Sequence, residues 1–419
     1  MKPWPGLITR DHRLRVPLDH GAPDGPRIEL YARSVTSTTS RGNEPWLVFL
    51  QGGPGFEAAR PQARGGWIGR ALQDYRVLLV DQRGTGLSSP IEVETLLALG
   101  SDDERTALLR HFRADSIVRD CEAWRAALAD GEPWSVLGQS FGGFCVTHYL
   151  SAAPEGLREA FITGGLPPLV DDAALVYEAL LPELRAKTEG YFEAFPQDRE
   201  TLLRLRALCG ASEIRLPRGD RLTARRLQSI GLQLGVSDGP ATLHHLLERA
   251  FDGERVTQAF KQDLEALWAF DRNPLYALLH EPCYARGPAT RWAAERALEA
   301  DGGFEPDAEE FAFTGEMVLR STFDDSAALA PLASTAERLA EIDDWPELYD
   351  LERLAANEVP LNCAVYAEDM FVERDLSLAT ADLIGGARVW LTNEFEHNGL
   401  RAEGERVLGR LIDMRRGDV

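Results

Sequence analysis

No run of roughly 18 consecutive apolar residues occurs anywhere in the chain, so no membrane-spanning helix is expected. The opening stretch, MKPWPGLITRDHRLRVPLDH, lacks the apolar segment that a secretory signal needs. Positive charge is scarce: 45 Lys and Arg stand against 67 Asp and Glu, a net charge of −22 at pH 7. So acidic a surface repels phosphate backbones and anionic lipid, which argues against nucleic-acid and membrane-surface partners. Cysteine is sparse and unpatterned: Cys121, Cys145, Cys209, Cys283 and Cys363 are odd in number and form no CxxC. Such a set reads as free thiols in a reducing compartment, and a cytoplasmic location is expected. Cys145 reads as a small apolar packing residue. There is no HExxH motif and no Cys/His ligand cluster, so neither a metal nor a cofactor is expected. Internal repeats and low-complexity tracts are absent, and nothing signals an oligomeric state.

What is present is a chain of 419 residues, long enough for one large domain with an inserted or appended one. Short apolar runs bounded by turn residues lie at Trp46–Leu50, 77–80 and 134–137, the pattern of parallel strands covered on both faces. Residues 116–129 place Ile117, Cys121, Trp124 and Leu128 at helical spacing. Alternation of strand and helix signals predicts a mostly parallel sheet flanked by helices.

From about residue 171 to 320 strand signals nearly vanish. Residues 173–195 are amphipathic, with Val176, Tyr177, Leu180, Leu184 and Phe192 on one face despite Pro182 and Gly190. Helical runs follow at 201–209, 223–234, 241–251, 258–270 and 289–300. Strand signals resume at 360–366 and Ala387–Thr392, and a last helix starts near Arg401. The expected organisation is a core segment at 1–170, a helical cap at 171–325 and a second core segment at 326–419.

The strongest chemical signal is Gly138-Gln139-Ser140-Phe141-Gly142-Gly143, a G-x-S-x-G sequence after a predicted strand and before a predicted helix. A turn that sharp strains the backbone of Ser140, and side chains at Gly138 and Gly142 would collide with their neighbours. This is the nucleophile turn of the α/β-hydrolase fold, in which an acid and then a histidine follow the serine along the chain. A serine hydroxyl needs such a base, and the base needs an orienting acid. Only His397 follows the late strand signals; His12, His20, His111, His148, His244, His245 and His280 all precede them. Asp369 ends the strand before it, with Glu368 as its neighbour and Asp375 deeper in the next segment. An oxyanion hole is expected from the N–H groups of Phe141 and of Gly53, in Gln51-Gly52-Gly53-Pro54-Gly55.

Four stretches in this order, QGGPG, DQRGTG (81–86), GQSFGG and NEFEHNGLR (393–401), resemble the prolyl aminopeptidases, also called proline iminopeptidases. Val16-Pro17-Leu18-Asp19-His20 and Phe313-Thr314-Gly315-Glu316 are similar to the longer-chain branch; the shorter-chain branch has His in place of Gln51 and Trp in place of Phe141. The resemblance implies release of N-terminal proline from short peptides with a free amino terminus. It places the nucleophile on Ser140, the acid on Asp369 (followed by Met370) and the base on His397. It also implies cap carboxylates that hold the substrate amine, matched here to Glu281 and Glu316. Carboxylates in a closed pocket suit a cationic amine. Two other readings share the motifs: a small-molecule esterase or amidase on the same scaffold, and a catalytically inactive binding protein.

Overall fold

The computed structural model describes residues 4–211 and 213–419. Residues 1–3, part of the opening stretch read for a signal segment, and Ser212, inside the expected cap, lie outside the described residues. One eight-stranded sheet organises the described chain. Its strands are β1 (Leu7–Pro17), β2 (Arg27–Ser37), β3 (Trp46–Leu50), β4 (Arg76–Asp81), β5 (Trp134–Gln139), β6 (Leu157–Thr163), β7 (Leu361–Tyr366) and β8 (Ala387–Thr392). In space they run β1-β2-β4-β3-β5-β6-β7-β8. The pairs β1–β2 and β2–β4 are antiparallel; every pair from β4 to β8 is parallel.

Side chains alternate across a strand, so both faces of a central strand need cover. In β3, Val48 and Leu50 pack into one apolar layer with Ile117, Cys121 and Trp124 of the helix Ala114–Leu128. Leu47 and Phe49 enter the opposite layer, with Val407, Leu408 and Leu411 of the terminal helix Gly404–Arg416. All five cysteines are buried and free. No helix among the described residues is long and apolar enough to cross a membrane.

Three strands of the large sheet were not foreseen. β1 and β2 form an N-terminal hairpin in which β1 keeps only Leu7 and Val16 buried, so its charged side chains hide the period. β6 carries Arg158 and Glu159 within an otherwise apolar run.

Between β6 and β7 the described chain is mainly helical, and the stretch expected as the cap, 171–325, lies within this segment. Its long helix, Ala174–Ala194, contains Pro182 without being broken. The run expected at 241–251 forms Gly239–Leu247 and leads into a two-residue hairpin, Phe251–Asp252 with Arg255–Val256. The run expected at 289–300 starts later, at Ala293, because Trp292 has a left-handed backbone (φ 55°). The cap touches the carboxyl ends of the parallel strands: a Cβ on Gly55, after β3, would lie 2.7 Å from the Tyr276 nitrogen.

The loop after β4 is anchored by a buried ion pair. Arg83 Nε and Nη2 donate to the two oxygens of Asp120 at 2.7 and 2.6 Å, and Nη1 donates to the carbonyls of Leu18 and His111 at 2.7 and 2.8 Å. His20 Nε2 lies 2.9 Å from both Arg83 Nη2 and Asp120 Oδ1. Part of the DQRGTG and VPLDH motifs is thus an internal brace. Removing one partner of such a pair leaves an uncompensated buried charge. Asp120→Ala should therefore cost about 3–5 kcal/mol of stability in chemical denaturation. A loss below about 1 kcal/mol, as for an exposed pair, would contradict the brace.

Candidate active site

Ser140 stands between β5 and the helix Phe141–Ala152, with φ 55° and ψ −128°. A non-glycine residue in this region is strained and must be held by its surroundings. Glycines supply the hold by letting backbone pack against backbone. A Cβ on Gly138 would strike the Gly142 carbonyl, one on Gly142 the Leu50 carbonyl, and one on Gly165 the Ser140 carbonyl. The Ser140 N–H donates to the Thr163 carbonyl at 3.1 Å, tying the turn to β6.

Asp369 follows β7 and His397 follows β8, so parallel pairing brings both to the edge that carries Ser140. His397 Nδ1 lies 2.7 Å from Asp369 Oδ2. The other carboxylate oxygen, Oδ1, accepts the N–H groups of Phe371 and Val372 at 2.9 and 3.1 Å, which fixes the carboxylate plane. With Nδ1–H donated to Asp369, Nε2 is left as the acceptor. Nε2 is turned toward the serine turn, 3.5 Å from the side-chain amide of Gln139. Glu368 points elsewhere, with its carboxylate 3.7 Å from Lys187 Nζ. Asp375 pairs with Arg374 on the surface.

The QGGPG loop packs directly on this turn. A Cβ on Gly52 would lie 2.8 Å from Ser140 Cβ, and Gly53 takes φ 126°, which a side chain would strain. Gln82, from DQRGTG, donates its side-chain amide to the Gln51 carbonyl at 2.9 Å and so steadies the loop. Phe141 begins a helix, so its N–H has no acceptor within that helix.

The two cap carboxylates are placed differently. Glu281 is buried and its Oε1 accepts the Ala294 N–H at 2.9 Å, at the start of the helix Ala293–Asp301. Burial pushes its carboxyl up, against the lowering effect of these helix-end hydrogen bonds. Glu316 accepts the Tyr276 hydroxyl and lies 3.6 Å from His280 Nε2. Burial alone would raise the Glu316 carboxyl. The neighbouring His280, then the charge of His397 and the Tyr276 hydroxyl, outweigh it and bring the net shift downward.

Aromatic rings join these groups. Phe371 lies edge-on to His397 at 4.9 Å between centroids, and Phe144 connects Phe141 to Tyr284 at 6.1 and 5.7 Å. Phe144, Val176, Tyr284, Phe371 and Val372 line a closely packed, largely apolar crevice. Gln82, Tyr276, His280 and Tyr284 were not foreseen as parts of the site. Gln82 lies inside a motif already singled out, whereas the cap residues carry no local signal.

A strained serine at the carboxyl edge of a mostly parallel sheet, with a His–Asp pair beside it, is the architecture of an α/β hydrolase. A family model described as alpha/beta hydrolase fold matches residues 45–228. A proline iminopeptidase of Aeromonas sobria is 47% identical over 414 residues, covering 98% of this chain and 97% of that protein. A proline iminopeptidase of Aspergillus aculeatus is 35% identical over 421 residues, covering 97% and 93%. Among solved structures, a proline iminopeptidase of Mycobacterium smegmatis is 16% identical with a TM-score of 0.46, covering 97% of this chain and all of the other. The chain belongs to the proline iminopeptidase family.

Burial alone would lower the His397 imidazole. The charge and hydrogen bond of Asp369, and then the charge of Glu316, outweigh it, and the net shift is upward. On the reading of His397 as general base, which must be neutral to accept a proton, a raised value moves the loss of activity on acidification to higher pH. The acid limb of kcat/KM should lie above the ordinary histidine value of about 6.5. Glu316→Gln removes one raising charge and should move that limb toward lower pH. A limb unmoved by the substitution, in a full pH–rate profile, would contradict the coupling.

Proposed function

We propose that this protein is a serine aminopeptidase that releases N-terminal residues, preferentially proline, from short peptides through an acyl-enzyme. Family membership supports this reading. The observation that carries it at the site is Glu316, a buried carboxylate electrostatically coupled to the base. An esterase pocket has no need of a buried anion there, whereas an exopeptidase must read an ammonium. Residues 171–325 serve as the cap domain that brings this carboxylate over the sheet edge. Five buried free thiols support placement in the cytoplasm.

In this mechanism Ser140 Oγ attacks the carbonyl carbon of the first residue while His397 Nε2 takes its proton. The tetrahedral oxyanion meets the N–H groups of Phe141 and Gly53. Collapse breaks the peptide bond, His397 returns the proton to the leaving amine, and the shortened peptide departs. Water then attacks the ester with His397 again as base, freeing the amino acid and Ser140. Asp369 holds Nδ1–H throughout and stabilises the imidazolium. Glu316 receives the substrate ammonium; Glu281 shapes the same wall while binding the helix end.

Ser140→Ala and His397→Ala should each lower turnover by several orders of magnitude with the fold intact. The double variant should be barely worse, because such residues act as a unit. Asp369→Asn should cost roughly ten-thousand-fold, the size set by the serine-protease precedent, and Glu368→Gln should be mild. Near-normal turnover in Ser140→Ala, or the reverse ranking of the two acids, would sink the assignment.

A charge-assisted hydrogen bond contributes about 1.5–3 kcal/mol. At neutral pH, Glu316→Gln should thus lower kcat/KM for prolyl substrates about ten- to a hundred-fold. The wild type should refuse acetyl-prolyl substrates, whose nitrogen carries no charge. Equal rates on acetylated and free prolyl naphthylamides would instead point to an esterase or endopeptidase.

A further inference from the structure

His397 lies in a loop whose two neighbouring residues are both held by the cap. On one side, the Glu396 carboxylate accepts two hydrogen bonds from Lys187 Nζ, at 2.7 and 2.8 Å. On the other, Asn398 Oδ1 accepts the Ser237 N–H and hydroxyl at 3.0 and 2.9 Å. Lys187 sits on the long cap helix and Ser237 beyond the short helix that ends at Gly235. Lys187 Nζ also lies 3.7 Å from Glu368, the residue before Asp369. One ammonium therefore stands between the residue preceding the base and the residue preceding the acid, on loops from two different strands.

The electrostatics make this contact more than decoration. Glu183, Glu368 and Glu396 converge on the same ammonium, and Lys187 is only 13% exposed. Without that positive charge, Glu368 and Glu396 repel each other across the two loops. The ring has a further cap support: Phe371, which packs on His397, leaves no room for a side chain on Gly235.

We propose that Lys187, aided by Ser237, is a positioning residue: it clamps the loop of the general base to the loop of its orienting acid. This rests on the reading of Ser140, Asp369 and His397 as the catalytic set. The cap then serves the chemistry as well as the substrate, because the base reaches its working position only with the cap docked. A displacement near 1 Å at a catalytic group can cost about a hundred-fold in rate.

The test uses the full chain and prolyl-naphthylamide, with kcat and KM measured per mole of folded enzyme beside thermal melting. Lys187→Met should lower kcat about ten- to a hundred-fold with KM changed less than about twofold. Lys187→Arg should restore most of kcat, since it keeps the charge and the reach. Glu396→Gln should show a kcat loss of the same kind and carries the test if Lys187→Met fails to fold. The double variant Lys187→Met with Glu396→Gln should be no worse than Lys187→Met alone. Wild-type kcat in both single variants, a loss confined to KM, or no recovery with arginine would overturn the clamp. His397→Ala separates the two levels. If it stays active, the catalytic reading fails; if it is inactive while Lys187→Met and Glu396→Gln are normal, only the clamp fails.

Discussion

The backbone of Ser140, at φ 55°, is a strained conformation that persists only because its neighbours leave no alternative. Gly138, Gly142, Gly143 and Gly165 each bring main chain against main chain at a separation that excludes a Cβ. The turn is therefore wedged between β3, β5 and β6, the centre of the sheet. Strain of about 1–3 kcal/mol per such residue is affordable only in a scaffold that rigid. The gain is a hydroxyl raised clear of the sheet at one fixed point, with a helix N-terminus directly behind it.

That fixed point dictates where everything else must come from. In a parallel sheet all carboxyl ends lie along one edge, so loops after β3, β7 and β8 converge on the serine from different distances in sequence. Each is secured by a different device. The loop after β3 is held by close approach to Ser140 and by the Gln82 side chain. Asp369 is held by two backbone N–H groups of its own loop. In the histidine loop the side chains that flank His397 bind the cap.

Legibility in the sequence followed the range of the information. The strands at Trp46–Leu50, Arg76–Asp81 and Trp134–Gln139, and the turn at Ser140, are written in a few contiguous residues and were readable. The pairing of Asp369 with His397 was expected from the chain order this fold imposes. β6 was missed because Glu159 interrupts its apolar run. That glutamate is buried and bonded to Tyr75 and Ser135, partners 84 and 24 residues away. Glu281 could be singled out as a carboxylate in an apolar setting, but not its engagement with the helix that begins at Ala293. Lys187 gave no signal at all, since Glu396 lies 209 residues further on.

The same separation explains the electrostatics of the site. Asp369 follows a strand of the sheet and Glu316 belongs to the cap, and both favour the protonated form of His397. An imidazole held too high is a poor base, because less of it is neutral at working pH. On the proposed reading the substrate corrects this itself. Its ammonium comes to rest against Glu316 and offsets the smaller of the two raising charges, while that of Asp369 remains. A substrate lacking the positive charge would neither bind Glu316 nor release His397 from it. Selection of a free amino terminus and readiness of the base are then two effects of one carboxylate, which the cap supplies.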